Sequence, residues 1–185
     1  GLSPRLNDLQ LVEALRPKLT QVDSNIGQFP PVKVADAPFL KNRQQGSEVN
    51  VEAFPSMMWH ERDGGRYLGT VDAVVTRDPE SGWVNVGTYR LMVHDRRHLG
   101  THINVSHHGR LHAEKYWSRG EDCPVAISLG QHPLISLLAG MEVPVGISEY
   151  DYAGSLTQSR YPVVEGPVTG LPIPADSEIV MEGYL

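Results

Sequence analysis

Six of the eight histidines fall between positions 94 and 112: His94, His98, His102, His107, His108 and His112. A spacing of four from His94 through His98 to His102 would stack imidazoles on one helical face, which is a zinc-ligand pattern. Gly100 interrupts that run, and the flanking residues read strand, turn, strand. The three rings are therefore not expected to share a face, and a zinc hydrolase built on this cluster is the lesser alternative. His107-His108 differs from the rest. It lies between a strand end and a helix start, where backbone N–H groups gather and anions bind.

The second chemical stretch is Gly82-Trp83-Val84-Asn85-Val86-Gly87-Thr88-Tyr89-Arg90. Read plainly, it is an amphipathic strand. Side chains alternate along a strand, so Asn85 and Arg90 would face opposite sides. A bulge at Gly87 would bring both to one side, roughly 15 Å apart at about 3.3 Å per residue. That span suits an elongated ligand such as a flavin nucleotide, with phosphate at one end and ring at the other.

The elements that must carry these residues follow from pattern. Residues 8–16 read as a short helix ended by Pro17, and residues 27–56, rich in Gly and Pro, as a connecting stretch. Residues 67–76 are strand-like. Asp78-Pro79-Glu80-Ser81-Gly82 supplies turn chemistry, and residues 83–93 return as the second strand of a hairpin. A third strand is expected over 101–106, and a helix over 111–118 stopped by Gly120. A strand follows over 124–129, then a helix over 134–139 opened by Pro133 and ended by Gly140, and a strand over 178–181. Strands outnumber helices, which predicts a mainly β fold with a few helices (α+β), a barrel or sandwich. Two regions are expected, 1–48 as helix and connection and 49–185 as the main domain.

Composition narrows the function classes. The chain has 185 residues, 40% hydrophobic and 21% charged, with a net charge of −6 from 16 basic and 22 acidic residues. No basic cluster exceeds the pair Arg96-Arg97, which leaves little basis for nucleic-acid binding. The single cysteine, Cys123, excludes an internal disulfide, suits a reducing cytosol, and precedes an apolar run where a buried, inert thiol is expected. No run approaches the roughly 20 apolar residues of a bilayer span and no signal pattern opens the chain, so a cytoplasmic location is expected. The chain opens on Gly1 and closes inside the apolar, β-prone run Ile179–Leu185, which reads as a cut rather than a natural end.

Five separated motifs, in order, resemble the UbiD family. They are Gly64-Gly65-Arg66-Tyr67; Asp78 through Arg90; Pro124-Val125-Ala126-Ile127-Ser128-Leu129-Gly130; Ser148-Glu149-Tyr150-Asp151-Tyr152-Ala153-Gly154; and Ile173-Pro174-Ala175 with Ser177 through Gly183. The similarity runs from about Val49 to Leu185. It implies the prenyl-FMN-binding portion of a reversible decarboxylase of aromatic or α,β-unsaturated acids, folded as a split β-barrel of flavin-reductase-like type and truncated at its C-terminal end.

The resemblance also assigns roles. Asn85, His108 and Glu149 would ligate a metal. Two oxygens and one imidazole suit Mn²⁺ or Mg²⁺, which with a nearby K⁺ would tie the cofactor phosphate to an acidic chain. Arg90 would be the catalytic arginine, forking onto the substrate carboxylate. His107, Met141 and the backbone of Val86, Gly87, Thr88 and Tyr89 would line the cofactor, with Glu142 standing where relatives often carry proline. The implied mechanism runs through a covalent adduct of prenylated FMN with the acid, loss of CO₂ and proton delivery by a carboxylic acid. The protonating glutamate pair of the family lies beyond Leu185, so the segment alone is expected to be inactive. Glu178 and Glu182 are expected to be structural. A flavin prenyltransferase would supply the cofactor, and the full-length enzyme would be a homo-oligomer. A stand-alone flavin or nucleotide-phosphate binding module is the other alternative.

Overall fold

The computed structural model describes residues 3–185. Its first element is α1 (Asp8–Asn25), opened by a capping box: Gln10 N–H donates to Asn7 Oδ1 at 3.0 Å and Asn7 N–H to Gln10 Oε1 at 3.1 Å. The helix does not stop at Pro17 but continues through it. Proline removes one helical hydrogen bond, and packing of the far end outweighs that loss. Val22 is buried, and its carbonyl accepts from Ser155 Oγ at 3.0 Å.

Ten short strands form three sheets among the described residues. The central one is antiparallel, in the order β10 (Ile179–Tyr184), β7 (Pro124–Leu129), β3 (Ala73–Arg77), β4 (Val84–Gly87). β2 (Tyr67–Gly69), β5 (Leu91–Val93) and β6 (Leu99–Thr101) form a second sheet, and β1 (Val32–Lys33), β8 (Pro162–Glu165) and β9 (Pro172–Pro174) a third. The architecture is thus mixed α+β with separate sheets and no closed barrel among the described residues. No described helix is long and apolar enough to cross a membrane.

Register assigns the two faces of the central sheet. Val75 lies opposite both Val86 and Ala126, so these share a face. They pack against Ile135 and Leu138 of α3 (Pro133–Ala139) and Tyr150 and Ala153 of α4 (Glu149–Thr157). Val74 and Ile127 point to the other face, with Tyr89, Leu91 and Val125. On that face, at the Thr76 end, lies α2 (His108–Trp117).

The predicted hairpin forms around Asp78–Gly82. Asp78 N–H donates to the Trp83 carbonyl at 2.8 Å, Gly82 N–H to the Asp78 carbonyl at 3.0 Å, and Gly82 sits at φ +76°. Both long predicted strands break, however. Residues 67–76 divide into β2 and β3, and residues 83–93 into β4 and β5, each half in a different sheet. The divider is Asp72, wholly buried at the first break, which accepts from Thr88 Oγ1 at 3.1 Å and Tyr89 N–H at 3.2 Å at the second. The third strand is β6, ending at Thr101, with loop beyond it. α2 starts three residues before the predicted helix, and α4 forms where no element is predicted.

Candidate functional site

The site gathers round β4, the edge strand of the central sheet. Asn85 lies opposite Thr76, so the two side chains share a face. Thr76 Oγ1 bonds His112 Nδ1 at 3.0 Å, which places Asn85 on the α2 side. Asn85 is 3% exposed, and its Nδ2 meets no partner among the described residues. Its neighbour Val86 turns its side chain to the opposite face and its N–H off the sheet edge, donating to Glu149 Oε2 at 2.7 Å.

Glu149 is the first residue of α4, after the N-cap Ser148 whose Oγ accepts from Tyr150 N–H. The residue is 2% exposed. Burial pushes its pKa up to about 7, against the pull of the Val86 N–H and of its own backbone N–H. His108 is the first residue of α2, with His107 as N-cap. Burial lowers the His108 pKa, opposed by the Glu142 carboxylate, which favours the neutral imidazole that ligates metals. Asn85 thus arrives from the face of β4, Glu149 from its open edge and His108 from the first turn of the helix packed on it.

β4 pairs with β3 in regular register through Gly87, so no bulge forms there. Gly87 serves another purpose. A Cβ on it would collide with the Tyr89 hydroxyl, and one on Gly109 would lie 2.9 Å from the same oxygen. The two glycines make room for the Tyr89 ring, which is buried and stacks on His107 at 5.6 Å. Burial raises the Tyr89 pKa, the neighbouring Asn85 amide opposes it, and the Glu149 and Asp72 carboxylates add to it. Thr88 N–H donates to the Ala139 carbonyl at 3.1 Å, so the connection from β4 to β5 is pinned by Asp72 on one side and α3 on the other. It presents Arg90, which is exposed and has no ion pair or hydrogen bond among the described residues. Two acids near it in sequence, Asp95 and Glu80, are engaged elsewhere: Asp95 with His98, and Glu80 with Lys115 and Arg119. Met141 stands 41% exposed just past the end of α3.

The His94–His98–His102 spacing does not converge. His98 Nδ1 bonds Asp95 Oδ2 at 2.8 Å, His102 Nε2 bonds Asn104 Oδ1 at 2.8 Å, and the His94 ring lies against Gly100. Among the described residues no three His, Cys, Asp or Glu side chains are grouped to hold a metal. Glu182 is structural, its carboxylate accepting from Thr169 N–H at 2.8 Å and Thr169 Oγ1 at 2.6 Å. Cys123 is buried, which pushes its thiol up to about 11; it is inert at neutral pH. Sequence reasoning passed over Asp72 and Thr76, and named His112 only as part of the histidine cluster, not as the partner of Thr76. An acid set in the apolar run 71–75 was the one available signal, and it pointed to the strand break.

Comparison with known proteins gives this geometry its context. The profile of the UbiD 3-octaprenyl-4-hydroxybenzoate carboxy-lyase Rift-related domain matches residues 31–185. A phenolic acid decarboxylase from Streptomyces is 36% identical over 183 residues, covering 91% of this chain and 38% of the relative. The closed form of vanillic acid decarboxylase from Sedimentibacter hydroxybenzoicus superposes with a TM-score of 0.89 at 30% identity, over 100% of this chain and 39% of that one. An evolved dimeric form of the UbiD-class enzyme HmfF from Pelotomaculum thermopropionicum, in complex with prFMN, gives 0.80 at 26% identity, over 94% and 40%. The class defined here is a mixed α+β fold shared with UbiD-class decarboxylases. The chain belongs to the UbiD family, and spans 38% of the length of the phenolic acid decarboxylase it matches.

Proposed function

We propose that this chain is the cofactor-binding portion of a reversible, non-oxidative decarboxylase of aromatic or α,β-unsaturated carboxylic acids. Residues 49–185 carry the site, and the separate sheets belong to a split β-barrel of flavin-reductase-like type. The observation that supports this best is Glu149: a residue 2% exposed, its carboxyl pKa raised by burial, at the edge of the strand carrying Asn85, whose buried Nδ2 has no hydrogen-bond partner among the described residues. A buried carboxylate of this kind is poorly stabilised by the protein alone and is suited to a cation.

The donor set fits a hard divalent ion. Glu149 and the Asn85 amide offer oxygens, and His108 a neutral imidazole, which favours Mn²⁺ or Mg²⁺ over a thiolate-seeking metal. The unpartnered N–H of Asn85 and the first turn of α2 offer donors to a phosphate. With K⁺ alongside, these groups would hold the phosphate of prenylated FMN. That cofactor, when bound, supplies the electron sink and covalent attachment for the acid. The chain's own residues orient the reactants. Arg90, exposed and unpaired, forks onto the substrate carboxylate. Tyr89, stacked on His107, walls the cofactor side together with Met141 and the backbone of Val86, Gly87 and Thr88. The cofactor would come from a flavin prenyltransferase, and the full-length enzyme would be a cytoplasmic homo-oligomer that releases or fixes CO₂.

The test is coupled binding. FMN fluorescence quenching by the chain should require Mn²⁺ or Mg²⁺, and His108→Ala should lower metal and flavin retention together. Flavin binding at full strength in a chelator, with His108→Ala unaffected, would refute the reading and favour a metal-free nucleotide module.

A further inference from the structure

We propose that Trp83 is a positioning residue that sets the mutual placement of Asn85, His108 and Glu149. The inference rests on the reading of those three as metal ligands. It comes from one residue that immediately precedes the strand of Asn85, lays its ring against His108 and bonds the backbone just ahead of Glu149. Trp83 stands two residues before Asn85 and faces α2, because its ring meets His112 at 4.8 Å and 85° while His112 Nδ1 bonds Thr76, the residue opposite Asn85. The same ring meets His108 edge-on at 4.8 Å and 63°. His108 and His112 are four apart on one helical face, and the indole lies against both. Its Nε1–H donates to the Ile147 carbonyl at 3.0 Å, two residues ahead of Glu149. Backbone, ring edge and N–H thus each fix one of three elements otherwise distant in sequence.

Ligands need orientation by the groups behind them, and losing such groups typically weakens metal binding about 10- to 100-fold. Trp83→Leu removes ring contacts and donor together and should weaken Mn²⁺ binding by about that factor. Trp83→Phe keeps a ring against the two histidines but loses the donor to Ile147, and should weaken it by several-fold. Mn²⁺ affinity of the chain would be read by EPR titration, with melting temperatures of the metal-free proteins measured alongside. Val163→Ala, a core truncation in β8, controls for lost stability and should leave Mn²⁺ affinity unchanged. If wild type binds Mn²⁺ and both Trp83 variants bind it equally well, Trp83 is structural only and the inference is overturned, while the proposed function stands. If Trp83→Leu fails to fold, Trp83→Phe alone decides. If wild type binds no Mn²⁺, the functional reading fails and this inference falls with it.

Discussion

Glu149→Gln should make the metal-free chain more stable at pH 8, although it removes a proposed ligand. The folded carboxyl titrates at about 7 against an ordinary 4.5. Each unit corresponds to about 1.4 kcal/mol, so ionising Glu149 inside the fold costs on the order of 3 kcal/mol. The sign follows from the direction: a folded pKa above the unfolded one gives a contribution fully present below about 4.5 and lost as pH rises through about 7. Glutamine keeps an oxygen for the Val86 N–H but carries no charge. It therefore escapes that loss, less whatever its buried NH₂ forfeits for want of a partner. A net gain of about 1–3 kcal/mol corresponds to roughly 2–10 °C for a chain of this size. Thermal unfolding from pH 5 to 8, with chelator and with Mn²⁺, would measure it. The variant should melt higher at pH 8 without metal, and the gap should close towards pH 5. Saturating Mn²⁺ should then reverse the order, since a ligand at about 1,000 times its Kd adds about 4.1 kcal/mol to the form that binds it. Lower stability of the variant at pH 8 without metal, or equal stabilisation of both proteins by Mn²⁺, would refute the reasoning.

Arg90→Lys in the full-length enzyme should keep the flavin and lose most decarboxylation, because an ammonium cannot make the forked contact; loss of flavin, measured by absorbance, would give Arg90 another role. Gly109→Ala places a methyl 2.9 Å from the Tyr89 hydroxyl, and should destabilise the fold by about 1–3 kcal/mol and weaken FMN binding as the ring is displaced. Unchanged melting temperature and unchanged FMN affinity would show that the Tyr89–His107 stack does not shape the site.

Local chemistry made part of this fold legible. The β3–β4 hairpin follows from its turn residues, with Gly82 in the left-handed region the turn demands. The start of α3 follows from Pro133 and its end from Gly140. What could not be read depends on contacts distant along the chain. α1 outlasts Pro17 because Val22 is buried and its carbonyl meets Ser155. Strands that look continuous at 67–76 and 83–93 split because Asp72 bonds across to Thr88 and Tyr89. α4 takes its place from Tyr150 and Ala153 in the core and from Glu149 on β4, none of which its neighbours in sequence announce. The site divides the same way. Asn85, His108, Glu149 and Arg90 were named from motif resemblance, and strand alternation with a bulge at Gly87 gave the wrong reason for a glycine that makes room for Tyr89. Trp83 stood in the motif, but its contacts with two histidines and a carbonyl 64 residues away exist only once the chain is folded.

The most direct measurement is an anomalous-scattering crystal structure of the chain grown with MnCl₂ and FMN, with data collected at the manganese edge. The account predicts a single strong peak within coordination distance of Asn85, His108 and Glu149, with the FMN phosphate on its open side. Manganese elsewhere, or FMN phosphate bound without any metal between it and Glu149, would contradict it.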